Sequence, residues 1–237
     1  MIFEWTDEKI EFFARAGAYT GFHRKLAGLI LPYMGADEDV IDVGCGLGLI
    51  DFELASRVRS ITAVDEHPAV IRYMRDRVRA RGPRNIFPRI ADARVVSGGD
   101  WDVVLLSFFG TPDAGLKYMI SEAGKRVVII THGEDTDPVH SLVKPKVKKV
   151  FARDMEEFFL AERYAYRKHI VDLDFGQPLR SMEEAVYFLE SYSLEQDAEA
   201  KRTRLDFLLK RVVETGDATY PYFLPKPKNV AVFAVER

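Results

Sequence analysis

A chain of 237 residues has room for one large domain, or for one domain with a sizeable insertion. Its 34 Lys and Arg against 37 Asp and Glu leave a formal net charge of -3, which gives no global pull towards nucleic acid. No apolar stretch approaches the ~20 residues needed to span a bilayer. The N-terminus lacks a signal-peptide pattern, and the single cysteine, Cys45, has no partner for an internal disulfide, so a reducing cytoplasm is the expected compartment.

Residues 7–33 carry helical spacing, first through Ile10, Phe13 and Ala14 and then through Leu26, Leu29 and Ile30. The stretch from Ala18 to His23 is an aromatic-rich break within it. Val40, Ile41 and Val43 read as a buried strand over 39–43 that ends in glycines at 44, 46 and 48. Leu49, Phe52, Leu54 and Ala55 then begin a helix. Strand, glycine turn and helix form a place where backbone can approach a ligand, since no Cβ intervenes. The dinucleotide fingerprint G-x-G-x-x-G would need a third glycine at 49, where Leu49 stands, and this argues against a nicotinamide oxidoreductase. Asp42, at the strand end, would repel a pyrophosphate and suits a ligand carrying a cationic amine.

A second apolar run, Ile61 to Val64, ends in Asp65 and Glu66. They lie roughly 20 residues past the glycines, where an α/β nucleotide site sets an acid against ribose hydroxyls. Pro68 opens a helix with Val70, Ile71, Met74 and Val78 on one face. A strand over 86–90 runs into Ala91, Asp92 and Ala93; another over 102–106 ends in Ser107, Phe108, Phe109 and Gly110; a fifth over 126–131 precedes His132. A helix over 153–162 and strands near 166–173 and 229–235 follow. Short apolar strands alternating with helices predict an α/β fold, a doubly wound and mostly parallel sheet with right-handed crossovers. Residues 176–227 are too long for a hairpin loop. They predict two helices, the first with a capping box from Ser181 to Glu184 and a face of Ala185, Phe188, Leu189 and Tyr192, the second with Leu205, Leu208, Leu209 and Val212.

The order D-x-G-x-G-x-G from Asp42 to Gly48, followed by Asp65 and Asp92, resembles the class I S-adenosylmethionine-dependent methyltransferases. The resemblance covers about residues 38–132, and the C-terminal hairpin more loosely. It implies a seven-stranded, mostly parallel Rossmann-like sheet with an antiparallel C-terminal strand and a helical insertion before it. The corresponding ranges are an N-terminal helical lid (1–35), the cofactor-binding domain (36–175), the insertion as substrate cap (176–227) and the last strand (228–237). It also implies S-adenosylmethionine as cofactor, leaving as S-adenosylhomocysteine. Asp42 and the loop of Gly44, Cys45, Gly46 and Gly48 would hold the methionine end, Asp65 with Glu66 the ribose, and Asp92 with Ala93 the adenine. Ser107 would lie near the transferred methyl, and Tyr19 would close over the cofactor.

The implied activity is methyl transfer to a small-molecule acceptor by in-line displacement, for which positioning matters more than acid–base chemistry. His132 and His23 are the candidate bases. His67, His140 and His169 have no ligand spacing with each other or with Cys45, and no metal is expected. Residues 107–110 lack the Asn/Asp-Pro-Pro-aromatic motif of enzymes that methylate adenine or glutamine amines. Two alternatives stay open. An RNA or protein methyltransferase is favoured by Arg72, Arg75 and Arg79 and by Lys144, Lys146, Lys148, Lys149 and Arg153, against the overall acidic balance. A non-catalytic S-adenosylmethionine-binding module is compatible with an intact loop and no obvious base. No membrane partner is expected, and a homodimer is left open.

Overall fold

A computed structural model describes residues 4–93, 101–134, 149–193 and 197–237. Its strands are β1 (Asp39–Val43), β2 (Ser60–Asp65), β3 (Ile86–Ile90), β4 (Val103–Ser107), β5 (Arg126–His132), β6 (Tyr166–Asp174), β7 (Gln177–Leu179), β8 (Val213–Glu214), β9 (Tyr222–Leu224) and β10 (Pro227–Glu236). Its helices are α1 (Asp7–Thr20), α2 (Phe22–Ile30), α3 (Leu49–Leu54), α4 (Pro68–Arg81), α5 (Ala114–Glu122), α6 (Ala152–Glu162), α7 (Met182–Ser191) and α8 (Ala198–Leu209).

The main sheet runs β3-β2-β1-β4-β5-β10-β6. β1 pairs in parallel with β2 on one side and β4 on the other, and β10 is antiparallel to β5 with Val232 opposite Ile130. The expected seven-stranded, mostly parallel sheet with one reversed strand is therefore present. The direction of winding changes between β1 and β4, the switch point outside which open α/β sheets bind ligands. Central strands read as unbroken apolar runs because helices cover both faces: Val103 to Leu106 and Val127 to Ile130 are all buried. Helix ends follow local chemistry. The Thr6 hydroxyl accepts the Lys9 N–H at 3.3 Å to open α1, and the Asp113 carboxylate accepts the Gly115 N–H at 2.8 Å to open α5. Pro68 stands in the first turn of α4, where it has no N–H to leave unpaired.

Two compact units divide the chain. One joins the residues up to Phe22 with Asp172–Lys228, and the other joins His23–Glu134, Val150–Val171 and Asn229–Arg237. This division falls elsewhere than the sequence ranges 1–35, 36–175 and 176–227. Gly21, left-handed at φ 63°, ends α1, so α1 groups with the insertion while α2 groups with the sheet.

The insertion holds both expected helices and also a small antiparallel sheet, β7-β9-β8, that periodicity does not predict. Its strands are two or three residues long, too short for an alternating pattern to register. The Ser181 hydroxyl accepts the Glu184 N–H at 3.2 Å as the capping pattern requires. Glu184 does not complete the box on Ser181. It accepts the Arg180 N–H at 2.6 Å and, from α1, the Arg15 guanidinium at 2.8 Å.

At the start of β1, buried Glu38 accepts the Gly35 N–H at 2.8 Å, Lys125 Nζ at 3.1 Å and Arg126 Nη1 at 2.9 Å. Burial alone would raise the pKa of this carboxyl, but these donors outweigh it and hold it below the usual carboxylate range. Stability gained from such a group is present above its unfolded pKa and lost as pH falls through the folded one. Glu38→Gln is expected to cost about 2 kcal/mol and lower Tm by roughly 4–8 °C at pH 7. Thermal melts should show that gap closing at pH below the usual carboxylate range; a gap that persists there would sink the assignment.

Candidate functional site

The site is built at the carboxyl ends of β1, β2, β3 and β4. β1 carries Asp42 into the sheet between Ala63 and Leu105, where its side chain is fully buried. The chain then turns through Gly44, Gly46 and Gly48 at φ of 74°, 54° and 61°. The N–H groups of Gly44 and Cys45 both donate to Val64 O, at 2.8 and 3.0 Å, which ties the loop to the end of β2. A Cβ on Gly44 would stand 2.2 Å from the Phe109 ring, and one on Gly48 would stand 2.3 Å from Met74 Cε. Left-handed backbone and close neighbours thus both demand glycine. Gly44→Ala is expected to destabilise the protein by about 3 kcal/mol, lowering Tm by roughly 6–12 °C in circular dichroism melts. A variant within a degree of the parent would show that the loop has freedom to move away from Phe109.

Asp65 closes the loop from the other side. Its Oδ2 accepts the Gly46 N–H at 3.0 Å and its Oδ1 accepts the His67 N–H at 2.9 Å. A carboxylate offers about four lone-pair sites, so Asp65 retains acceptor capacity for hydroxyls of a ligand. Glu66 beside it is exposed. The Ala91 N–H donates to Asp65 O at 3.1 Å, which brings Asp92 and Ala93, at the exit of β3, next to the end of β2.

Beneath the loop, α3 supplies a residue that the sequence reading passed over. Asp51 is fully buried, and a Cβ on Gly48 would lie 3.1 Å from its Oδ2. No N–H or O–H of the described residues reaches any of the four carboxyl oxygens of Asp42 and Asp51. The two acids satisfy each other only if one is protonated and donates to the other. Burial, first, and then the negative charge of Asp42 push Asp51 well up, so Asp51 keeps the proton. Burial likewise pushes Asp42 up to about 7, against the hydrogen bond from Asp51 and with the charge of Asp65. A signal for Asp51 existed: the buried positions of α3 are Ile50, Asp51 and Leu54, an acid inside an apolar helical face. Burial and the carboxyls of Asp42, Asp51 and Asp65 push the Cys45 thiol well up, which disfavours a nucleophilic thiolate.

Ser107 ends β4 opposite Ile130. Phe108 follows at φ 53°, a strained value for a bulky residue, with its N–H on Ile130 O at 2.7 Å. The His132 ring, at the end of β5, lies 5.2 Å from the Phe108 ring and 6.0 Å from that of Phe151. The structure thus gathers Asp42, Gly44, Cys45, Gly46, Gly48, Asp65, Asp92, Ala93 and Ser107 along adjacent strand ends, with His132 one strand further on. Half-buried His23 lies on α2 in the same unit. Tyr19 belongs to the other unit, where its ring packs 5.5 Å from Phe223 and 5.9 Å from Tyr220. His140, Lys144, Lys146 and Lys148 lie outside the described residues, as do Asp135 and Asp137, which follow His132 in the chain. Among the described residues no group of three His, Cys, Asp or Glu could hold a metal ion, and no helix is long and apolar enough to cross a membrane.

The loop fits S-adenosylmethionine on two observations. Asp65, which braces Gly46, keeps acceptor capacity for ribose hydroxyls at the end of β2. The buried Asp42–Asp51 pair, with a proton to lose and orphaned oxygens, favours a cationic amine above it.

A model of the methyltransferase domain family matches residues 40–127. A magnesium-protoporphyrin O-methyltransferase of Rhodobacter capsulatus is 33% identical over 91 residues, 37% of this chain and 40% of the relative, so the match spans less than half of that protein's length. A putative methyltransferase from Bacillus halodurans C-125 has a similar structure, with TM-score 0.59, 12% identity and coverage of 93% of this chain and 99% of that one. The magnesium protoporphyrin IX methyltransferase of Synechocystis PCC 6803, solved with bound SAH, gives TM-score 0.55 and 10% identity over 100% of this chain and 90% of that one. At such identities the structures speak for the fold alone, and the matched segment spans the loop, Asp65 and Asp92. Residues 40–127 are thus similar to the methyltransferase domain family, and the sheet and helices that carry them have the fold of these solved structures.

Proposed function

We propose that the protein transfers a methyl group from S-adenosylmethionine to a small-molecule acceptor. The observation that carries this reading is the Asp65 carboxylate, which braces Gly46 while retaining acceptor capacity at the end of β2, one strand from the switch point of the sheet. When bound, the cofactor supplies a methyl group already activated by its sulfonium.

What this chain contributes is binding and alignment. In this reading the amides of residues 44–48 and the field of Asp42 orient the methionine end, Asp65 takes the ribose hydroxyls, and Asp92 with Ala93 meets the adenine. Ser107 and the strained Phe108 set the wall beside the reacting centre, where an apolar ring excludes water. An acceptor that is protonated at working pH gives its proton to the His132 imidazole, the titratable ring at that end of the sheet. Cys45 plays no covalent part. The small-molecule reading is supported by a relative and a structural neighbour both named for magnesium protoporphyrin.

Two measurements test it. Calorimetric titration should show micromolar binding of S-adenosylmethionine and S-adenosylhomocysteine and none of NADH; binding of NADH alone would overturn the reading. Incubation with methyl-labelled cofactor and a cell extract should then move label into the low-mass fraction. Label appearing only in protein or RNA would replace the proposed acceptor class.

A further inference from the structure

Between Pro68 and Ile90 the sequence carries seven arginines, a single acid (Asp76) and no lysine, in a chain that elsewhere has more acids than bases. The net charge of -3 thus conceals a strong local excess of positive charge. A face meant only for solvent would be served as well by lysine. The guanidinium is the group whose planar fork matches a phosphate.

The fold gathers these arginines at one edge of the main sheet. Val70, Ile71 and Met74 bury one side of α4, while Arg72, Arg75 and Arg79 are exposed at i, i+3 and i+7. Arg75 reaches Pro88 O at 3.3 Å, so this stripe meets β3, the edge strand. On β3, Phe87 and Arg89 share a face and are both exposed, Phe87 by 47%.

Like charges at these spacings repel and destabilise a helix. The helix dipole accounts for arginines in the last turn of α4, but not for Arg72 and Arg75 before it or for Arg89 on a strand. Asp76 pairs with Arg79 at 3.3 Å. Among the described residues, Arg72 and Arg89 make no ion pair or side-chain hydrogen bond. A bound polyanion would offset the repulsion, and an exposed ring beside the cations is a surface on which a base can stack. Phe87 and Ile90, the exposed apolar residues of β3, point to opposite faces of the strand and form no common patch for a bilayer.

We propose that α4 and the edge of β3 form a docking surface for single-stranded nucleic acid, with phosphates on Arg72, Arg75, Arg79 and Arg89 and a base on Phe87. The surface lies wholly within the unit that holds His23–Glu134. It does not depend on methyl transfer or on the acceptor.

The test is fluorescence anisotropy of the full chain with a fluorescein-labelled, mixed-sequence RNA dodecamer at low ionic strength. The strand should bind saturably, and log affinity should fall against log salt with a slope of about -2 to -3, at roughly -0.7 for each phosphate neutralised. Arg72→Gln/Arg75→Gln/Arg89→Gln should weaken binding about tenfold or more and bring the slope to about -1. Arg153→Gln/Arg167→Gln/Arg202→Gln makes the same change of charge on other elements and should stay close to the parent. Phe87→Ala should cost about tenfold with the slope unchanged, since stacking releases no counterions. Each substitution is at an exposed position, and circular dichroism melts should match the parent's. Absence of saturable binding, an equal loss in both triple variants, or an unchanged affinity in Phe87→Ala would each overturn the surface. Binding to phosphatidylserine vesicles in place of the RNA would do the same.

Discussion

Asp65→Ala is expected to weaken S-adenosylhomocysteine binding by roughly a hundredfold to a thousandfold. The side chain does two things at once. It accepts the Gly46 N–H at 3.0 Å, fixing the middle of the glycine loop, and it offers its remaining lone pairs to the ribose. Loss of the first leaves a loop amide without its partner, and loss of the second removes a hydrogen bond to a charged acceptor; each is worth about 1.5–3 kcal/mol. The lower part of their sum, about 3–4 kcal/mol, corresponds to the stated range of affinity. Asp65→Asn separates the two roles. Its carbonyl oxygen can still accept from Gly46, so the loop is kept and only charge is lost, and the affinity should fall about tenfold. Calorimetry on both variants decides the matter. Affinity of the alanine variant within threefold of the parent would mean that Asp65 is a structural brace and nothing more.

The second large effect is on pH. Asp42 is pushed up to about 7 from an ordinary value of 3.8, so across the interval between them the native state holds a proton that the unfolded chain has released. A native state that binds the extra proton loses stability as pH rises. For the ligand-free protein, Asp42 should therefore account for a decline of up to about 4 kcal/mol from about pH 4 to about pH 7, and Asp51, which keeps its proton in the native state, should carry the decline on above pH 7. A cationic amine above the loop favours the ionised form. Binding of S-adenosylhomocysteine near pH 7 should then release about half a proton, and more at pH 6, measurable by calorimetry in buffers of different ionisation enthalpy. Asp42→Asn should remove the Asp42 share of the decline, abolish the proton release and weaken binding. Asp51→Asn should keep the Asp42 share of the decline and the proton release, since its amide donates to Asp42 just as the protonated Asp51 does, while removing the decline above pH 7. A parent protein whose melting temperature is flat from pH 5 to 8 would rule the shared proton out.

Most of the sheet is legible in the sequence because it is buried on both faces. Val103 to Leu106 and Val127 to Ile130 are short apolar runs bounded by polar turns, and nothing else in the chain competes with that reading. The glycine loop is legible for a different reason: glycines at 44, 46 and 48 answer a local backbone demand that leaves a mark on the residue type itself. Features that depend on distant contacts leave no such mark. β7 and β9 are three residues each and pair only through a return of the chain some forty residues later. The Asp42–Asp51 pair joins a strand to a helix across a turn, and Asp51 alone looks like an ordinary acid in a helix's first turn.

The position of β10 has a consequence for how the sheet comes together and comes apart. β6 is an edge strand whose one neighbour in the sheet is β10, and the whole insertion lies between the two in the chain. Until β10 arrives, β6 has nothing to pair with and β5 presents an open edge, the kind of surface that recruits strands from other molecules. Closure over so long a loop is intrinsically slow. The first five strands, which already contain the complete glycine loop, can thus order before the sheet is sealed, and β6 and β10 form a seam that opens as one piece: β6 cannot keep its amides protected from solvent exchange once β10 has left.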